Sequence, residues 1–515
     1  MANPNIVWDE WSQPSIEPFM EAVIHFTSGN ITLTDDDIYN VSETVELFDS
    51  SHVLFGPPSP ATATLEIVDF AQQYNPTLNT ELTAGTQVDF YLCMFPTEDV
   101  PFGPNIVTSY DVPISVSYMD IDVYATLVHI NATYLKPKSK YFLEFGYTYT
   151  GSTQDVAESF VVPGTWFESH TYALIREQEY TVNYVIIREC EYDRQPYGQF
   201  YTQEWSYDSN THTARVELVD AMHEELTLDN RADGPKPGRS TNLRTFFKSL
   251  IDLYQEPYYF STYFNFTVPY SFYYATQAST LGNCLVALGA SYCFMPDGSS
   301  AVCDHTGIYD TGITLTDDDV EVYDIQQTSA LTYDYTLVYA YLPSLENKAV
   351  VTYENFSTVP GTVIPLNVDG LFDVLYVLTE QTNNVLYSTY TWNITGLYWS
   401  LTADYSLFEI YGSVLRTSEV ECSHIGGSSP YMLKDCKYIQ DQDTAVQIAS
   451  YVDSFYALQY NTIGVSLRGC PSIWVGARMH IYSALYNVDA DYVVIKVDFT
   501  YDWAVLTNLI LQMSF

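Results

Sequence analysis

Residues 31–38 read ITLTDDDI and residues 313–320 read ITLTDDDV, identical at seven of eight positions although they begin 282 residues apart. Each stretch alternates apolar and polar side chains and then runs into a triplet of aspartates. That is the pattern of a strand with one buried face, followed by its exit turn. Self-similarity over such a distance points to an internal duplication, which governs how the rest of the chain is divided.

Two further pairs occur in the same order. Gly85 launches the alternating run TQVDFYL, and Gly476 launches ARMHIYS. Glycine suits a tight turn ahead of a strand because it has no Cβ to oppose a left-handed backbone. After these come EWSYD at 204–208 and DFTYD at 498–502. Ile31 to Gly85 spans 54 residues, whereas Ile313 to Gly476 spans 163. Gly85 to Glu204 spans 119, whereas Gly476 to Asp498 spans 22. The shorter intervals define a module of roughly 80 residues. Each copy carries roughly 100 extra residues, early in the second and late in the first, as exposed strand loops tolerate.

Composition agrees with a β-rich, folded chain. Of 515 residues, 47% are apolar, 16% are charged and 47 are tyrosine. Aromatic and β-branched residues suit a half-buried pleated surface. With 64 acidic against 19 basic residues the formal charge is −45. Neutralising phosphates needs clustered Lys and Arg, so specific nucleic-acid binding is excluded. The acidity reads either as solubility or as an acidic wall past which DNA slides without sticking. No apolar stretch is long enough for a membrane span, and no secretory leader is expected at the start. Eight cysteines, lying mainly in apolar runs such as Phe90-Tyr91-Leu92-Cys93, read as buried reduced thiols.

The expected architecture is mainly β with a small α/β linker. Residues 1–100 plus 176–219 form the first β-barrel module, and 101–175 an inserted β-sandwich-like segment. The linker is 220–310, with a helix over 243–253 capped by Ser240 or Thr241, a helix over 280–288 and a turn at Pro296-Asp297-Gly298. Residues 311–345 plus 438–515 form the second module, and 346–437 its inserted β domain. A further amphipathic helix, 444–458, is expected to lie on the terminal sheet.

No catalytic, cofactor-binding or metal-binding residue is assigned. Asp35-Asp36-Asp37 and Asp317-Asp318-Asp319 lack the glycine and distal glutamate of a calcium loop and read as turns. Cys422 and His424 with Cys436, or Cys303 with His305, lack the paired close spacings of a zinc site. Nine scattered histidines fall into no hydrolase motif. The chain is expected not to be an enzyme and to need no cofactor.

The segment LEIVDFAQQYNPTL at 65–78, the run Pro196-Tyr197-Gly198-Gln199-Phe200-Tyr201 before EWSYD, and Leu467-Arg468-Gly469-Cys470-Pro471 before Gly476 resemble the tail-hub proteins of tailed bacteriophages. Cys470 and Ala477 depart from that pattern, which has Asn before the proline and Asp after the glycine. The resemblance covers both modules and the linker, and neither inserted segment. It implies a homotrimer with two tail-tube-like barrels per chain, lining a DNA channel. Implied partners are the tail tube or distal tail protein, the tip, spike or fibre proteins and the tape measure protein, in a virion assembled in a bacterial cytoplasm. DNA is met only in transit. An alternative is a tail-tip adhesin whose inserted β domains bind a host glycan or protein.

Overall fold

The computed structural model describes residues 18–93, 194–349 and 411–514, apart from short stretches that include 35–36, 49–53, 228–237, 318–325, 328–332, 459–461, 468–471 and 503–504. Across 105–193 and 350–410 it describes strands and their pairing alone.

Thirteen strands form one sheet. In chain order they are β1 (Phe19–Phe26), β2 (Gly29–Leu33), β3 (Ile38–Glu46), β4 (Thr62–Val68), β5 (Gln87–Met94), β6 (Asp193–Asp208), β7 (Thr213–Val219), β8 (Tyr309–Thr316), β9 (Gln326–Gln327), β10 (Thr462–Leu467), β11 (Ala477–Ser483), β12 (Val488–Tyr501) and β13 (Val505–Met513). The first half runs β2-β1-β5-β6-β7-β4-β3 across the sheet, and the second runs β8-β11-β12-β13-β10-β9. Number β2 to β7 and β8 to β13 each from one to six. Setting β1 aside, both halves then have the order 1-4-5-6-3-2. In the first half β1 stands between strands 1 and 4, each antiparallel to it, so strand 1 is parallel to strand 4. In the second half β8 pairs with β11 directly, and parallel.

The shared details go beyond order. Gly85 and Gly476 stand just ahead of strand 4 with φ of +83° and +80°. The Gly85 N–H donates to Thr202 O at 2.7 Å and the Gly476 N–H to Val494 O at 2.8 Å. In both halves strand 5 bulges immediately afterwards against strand 6, between Thr202 and Glu204 and between Val494 and Lys496. These landmarks align Glu204 with Lys496, so EWSYD corresponds to residues 496–500, two residues earlier than the string DFTYD suggests. The positive φ gives a graded prediction. Gly85→Ala should cost about 1–2 kcal/mol from backbone strain alone, because open space surrounds the site. Gly476→Ala should cost roughly 1–3 kcal/mol more from crowding, since a Cβ there would lie 2.5 Å from Ile308 Cδ1. Urea midpoints of the two variants measure the difference.

The chain leaves the sheet between strands 4 and 5 in the first half and between strands 2 and 3 in the second. The ladders place both departures at the same end of the strands: Met94 lies opposite Asp193, Gln327 opposite Ile463, and β3 meets β12 with Glu46 beside Lys496. The first excursion contains a four-stranded and a three-stranded sheet. In the second, the long strand Tyr335–Glu354 pairs with Leu407–Ser423 and Pro430–Leu433, and a three-stranded sheet is separate.

Two cores follow. One fills the thirteen-stranded sheet across both halves. The other gathers the linker helices α1 (Ala221–Thr227), α2 (Leu243–Ile251) and α3 (Gln277–Leu288) with α4 (Gln442–Tyr456) and the base of the Tyr335–Glu354 strand. Sequence expectation is corrected twice here. Asn242 caps α2, its side chain accepting the Thr245 N–H at 3.0 Å, rather than Ser240 or Thr241. And α4 packs its buried face, including Ile448, Val452 and Phe455, into the linker core and not onto the terminal sheet. The turn at Pro296-Asp297-Gly298 does join the antiparallel strands Ser291–Phe294 and Ser300–Cys303, with Gly298 at φ +78°.

The chain is mainly β, as its composition indicates. Neither half closes into a barrel by hydrogen bonding among the described residues. Closure of the first half would bring β3 against β2, but the outer edge of β3 is taken by β12.

Candidate functional site

The junction of the two halves is the best-defined site in the molecule. Six residue pairs, from Val41 with Tyr501 to Glu46 with Lys496, join β3 to β12 antiparallel. The Leu47 N–H extends the ladder to Ile495 O at 2.8 Å. Thr44 Oγ1 donates to Asp498 Oδ1 at 2.8 Å, and Lys496 Nζ lies 3.1 Å from Glu46 Oε1 and 3.3 Å from Asp498 Oδ2. Beneath, the fully buried Tyr197 ring of β6 meets Trp474 edge-on at 5.6 Å and Phe499 of β12 at 4.6 Å. Aromatic contacts of this kind add specificity beyond area burial. The joint is thus both a continuous ladder and a shared core.

Two carboxyls are buried near it. Glu43 lies in the joint strand, between Ala63 and Phe499, and its side-chain oxygens have no hydrogen-bond partner among the described residues. Burial, and secondarily the charge of Asp220, hold its pKa well above the carboxylate range. Asp220 follows β7 and is pushed up to about 7 by burial, against backbone N–H groups of Ala61, His223 and Met222 that favour its charged form. An unpaired buried charge is far costlier than a protonated acid, so both groups are held neutral where they can be. Sequence reading missed both, yet a signal exists. Glu43 stands between Val41 and Val45 on the buried side of β3, and Asp220 continues the buried series Val216, Leu218. An acid in register with the apolar face is the mark.

Gly198 lies over Glu43: a Cβ would come within 3.3 Å of Glu43 Oε1 and 2.5 Å of Phe200 Cε2, at φ +144°. Gly198→Ala should destabilise by about 2–4 kcal/mol through strain and overpacking together. A lowered thermal midpoint checks it.

The residues weighed for metals fall elsewhere. Asp37 Oδ2 accepts the Thr34 N–H at 3.1 Å. Asp317 accepts from Ser483 Oγ and from the Ala484 N–H at 3.0 Å, tying strand 1 of the second half to the β11–β12 turn, and these bonds lower its pKa. Each is a turn anchor. Asp35, Asp36, Asp318 and Asp319 lie outside the described residues. Cys422 Sγ donates to Val420 O at 3.6 Å and Cys436 Sγ to Asn283 O at 3.2 Å. Cys303 is buried, and the His305 ring stacks edge-on with Tyr263 and Tyr451 at 5.1 and 5.3 Å. Arg468 to Pro471, and the tyrosine side chains of the inserted segments at 105–193 and 350–410, lie outside the described residues.

No protein-family model and no curated protein matches the chain. Solved structures that align with it include a tail protein from Neisseria meningitidis MC58, at 8% identity over 96% of each chain with a TM-score of 0.40. A 43 kDa tail protein of prophage MuSo2 from Shewanella oneidensis aligns at 9% identity over 96% of each chain with a TM-score of 0.42. The Francisella PdpA-VgrG complex aligns at 6% identity over 97% of this chain and 53% of that one, with a TM-score of 0.36.

Proposed function

We propose that the chain is a structural subunit of a bacteriophage tail, a trimeric hub that joins a hexameric tail tube to a threefold tip and surrounds the passage for DNA. One observation carries this reading: the strand order 1-4-5-6-3-2 occurs twice in one sheet, with the halves in the same orientation. Each chain therefore offers two similar faces side by side. Three chains offer six, which is what an adaptor between sixfold and threefold partners requires. The resemblance of residues 65–78, 196–208 and 467–476 to tail hubs points the same way.

In this role the two halves are tube-like modules and the excursions are attachments for tip or fibre proteins. The protein acts by assembly and performs no reaction. Light scattering on the purified chain at micromolar concentration should give the mass of three subunits. Antibody labelling of virions should mark the distal end of the tail. A monomer that is also missing from purified particles would sink the reading.

A further inference from the structure

We infer that copies of this chain join head to tail by strand addition, β9 of one copy laying itself along the distal part of β6 of the next, in the register that β3 and β12 use within the chain. The inference rests on the reading of the protein as an assembly subunit and names the surfaces that make the contact.

The two halves differ at one edge. Strand 5 is long in both, and its first part is covered by strand 4: β11 covers β12 as far as Val493, and β5 covers β6 as far as Tyr201. Past the bulge, the same edge of β12 is covered by β3. The same edge of β6, from Glu204 to Asp208, has no strand beside it among the described residues. Its residues show it: Gln203, Glu204, Ser206 and Asp208 are exposed, whereas Ile495, Lys496, Asp498 and Thr500, at the matching places, are half-buried. Strand 2 repeats the asymmetry. The outer edge of β3 is filled by β12, whereas among the described residues that of β9 ends the sheet. Among its described residues one chain thus holds a completed joint and the two unfilled halves of a second one. An open edge of unpaired N–H and C=O groups is a template for a further strand.

The register follows from the ladders. The row Ser42, Thr64, Glu217, Glu204 in the first half corresponds to Gln326, Gly464, Ile510, Lys496 in the second. Gln326 therefore takes the place of Ser42, and Gln327 that of Glu43. Within the chain Ser42 faces Thr500 and Glu43 faces Phe499. Counting four and three residues on from the bulge, those partners become Asp208 and Tyr207 of the neighbouring copy. Since Leu47 and Ile495 are a hydrogen-bonded pair, alternation makes Gln327 with Tyr207 hydrogen-bonded and Gln326 with Asp208 not. The two surfaces differ, so the contact is heterologous, and a closed ring leaves neither of them open.

Cysteine trapping tests the register on the full chain. A non-hydrogen-bonded antiparallel pair has its Cα atoms about 4.5 Å apart, within disulfide reach. Under mild oxidation Gln326→Cys combined with Asp208→Cys should convert most of the chain to linked species on a non-reducing gel. Gln326→Cys combined with Ser206→Cys, two residues out of register, should link several-fold less. Gln327→Pro removes the outward N–H while leaving the β10 side of β9 intact, and should weaken self-association roughly tenfold or more. If the chain forms oligomers but the register pair links no better than the control and Gln327→Pro leaves the mass unchanged, the strand pairing is wrong and the assembly role stands. If the chain is monomeric at every concentration and missing from purified particles, and the register pair never links, both fall.

Discussion

Raising the pH from about 4 to about 7 should cost the folded chain on the order of 4 kcal/mol from Asp220 alone, because its pKa rises from 3.8 to about 7 on burial. The native state holds a proton that the unfolded chain has already released in that interval. Stability is therefore full below the unfolded value and is lost as pH climbs through the folded one. Glu43, raised in the same direction and by the same cause, adds to the loss. Asp220→Asn should flatten the profile, leaving stability near pH 4 little changed and raising it progressively between there and pH 7 and above. Urea unfolding of wild type and variant at pH 5 and pH 8 gives the measurement. An unaltered slope would mean that the acid is solvated in the native protein.

Removing the Tyr197 ring is expected to have the next largest effect. Tyr197→Ala should destabilise by about 3–5 kcal/mol, the usual cost of emptying a buried aromatic site. Its contacts with Trp474 and Phe499 reach from one half to the other, so the loss should not stay local. Phe499→Ala alone should cost a similar amount, and the double variant less than the sum of the two, since the pair shares one contact. A single cooperative transition for the two halves is expected in the wild type, because one core and one ladder join them. Independent melting of the halves in hydrogen exchange, with additive effects at 197 and 499, would contradict it.

Much of this architecture was legible, and the limits have physical causes. The ITLTDDD strings marked strand 1 of both halves because a strand buried on one face must alternate. The glycine pair marked the approach to strand 4 because a positive φ excludes most other residues. EWSYD and DFTYD were matched two residues out of step, an error the pattern cannot detect. A slip of two preserves every inward and outward side chain, whereas a slip of one reverses them all. The face of α4 was readable from its periodicity, but periodicity names a buried face and not its partner. Closure was unreadable for the same reason, since alternation says nothing about which strand lies at an edge. Glu43 and Asp220 were hidden by number in a chain with 64 acids, although their position among buried valines and leucines set them apart.

Both excursions leave the strands at one end, while the opposite end carries the β1–β2 hairpin, the entry into β8 and the connections from strand 3 to strand 4 and from strand 5 to strand 6. In the second half the latter is a short hairpin, Tyr501 facing Val505. A ring of such chains would have a plain rim and a burdened one. Another ring could stack on the plain rim, but on the other side roughly 100 residues per half would stand in the way of an identical neighbour. Repetition would stop there. A tube grown onto this protein would be polar from its first layer, and its length would be counted from one end only.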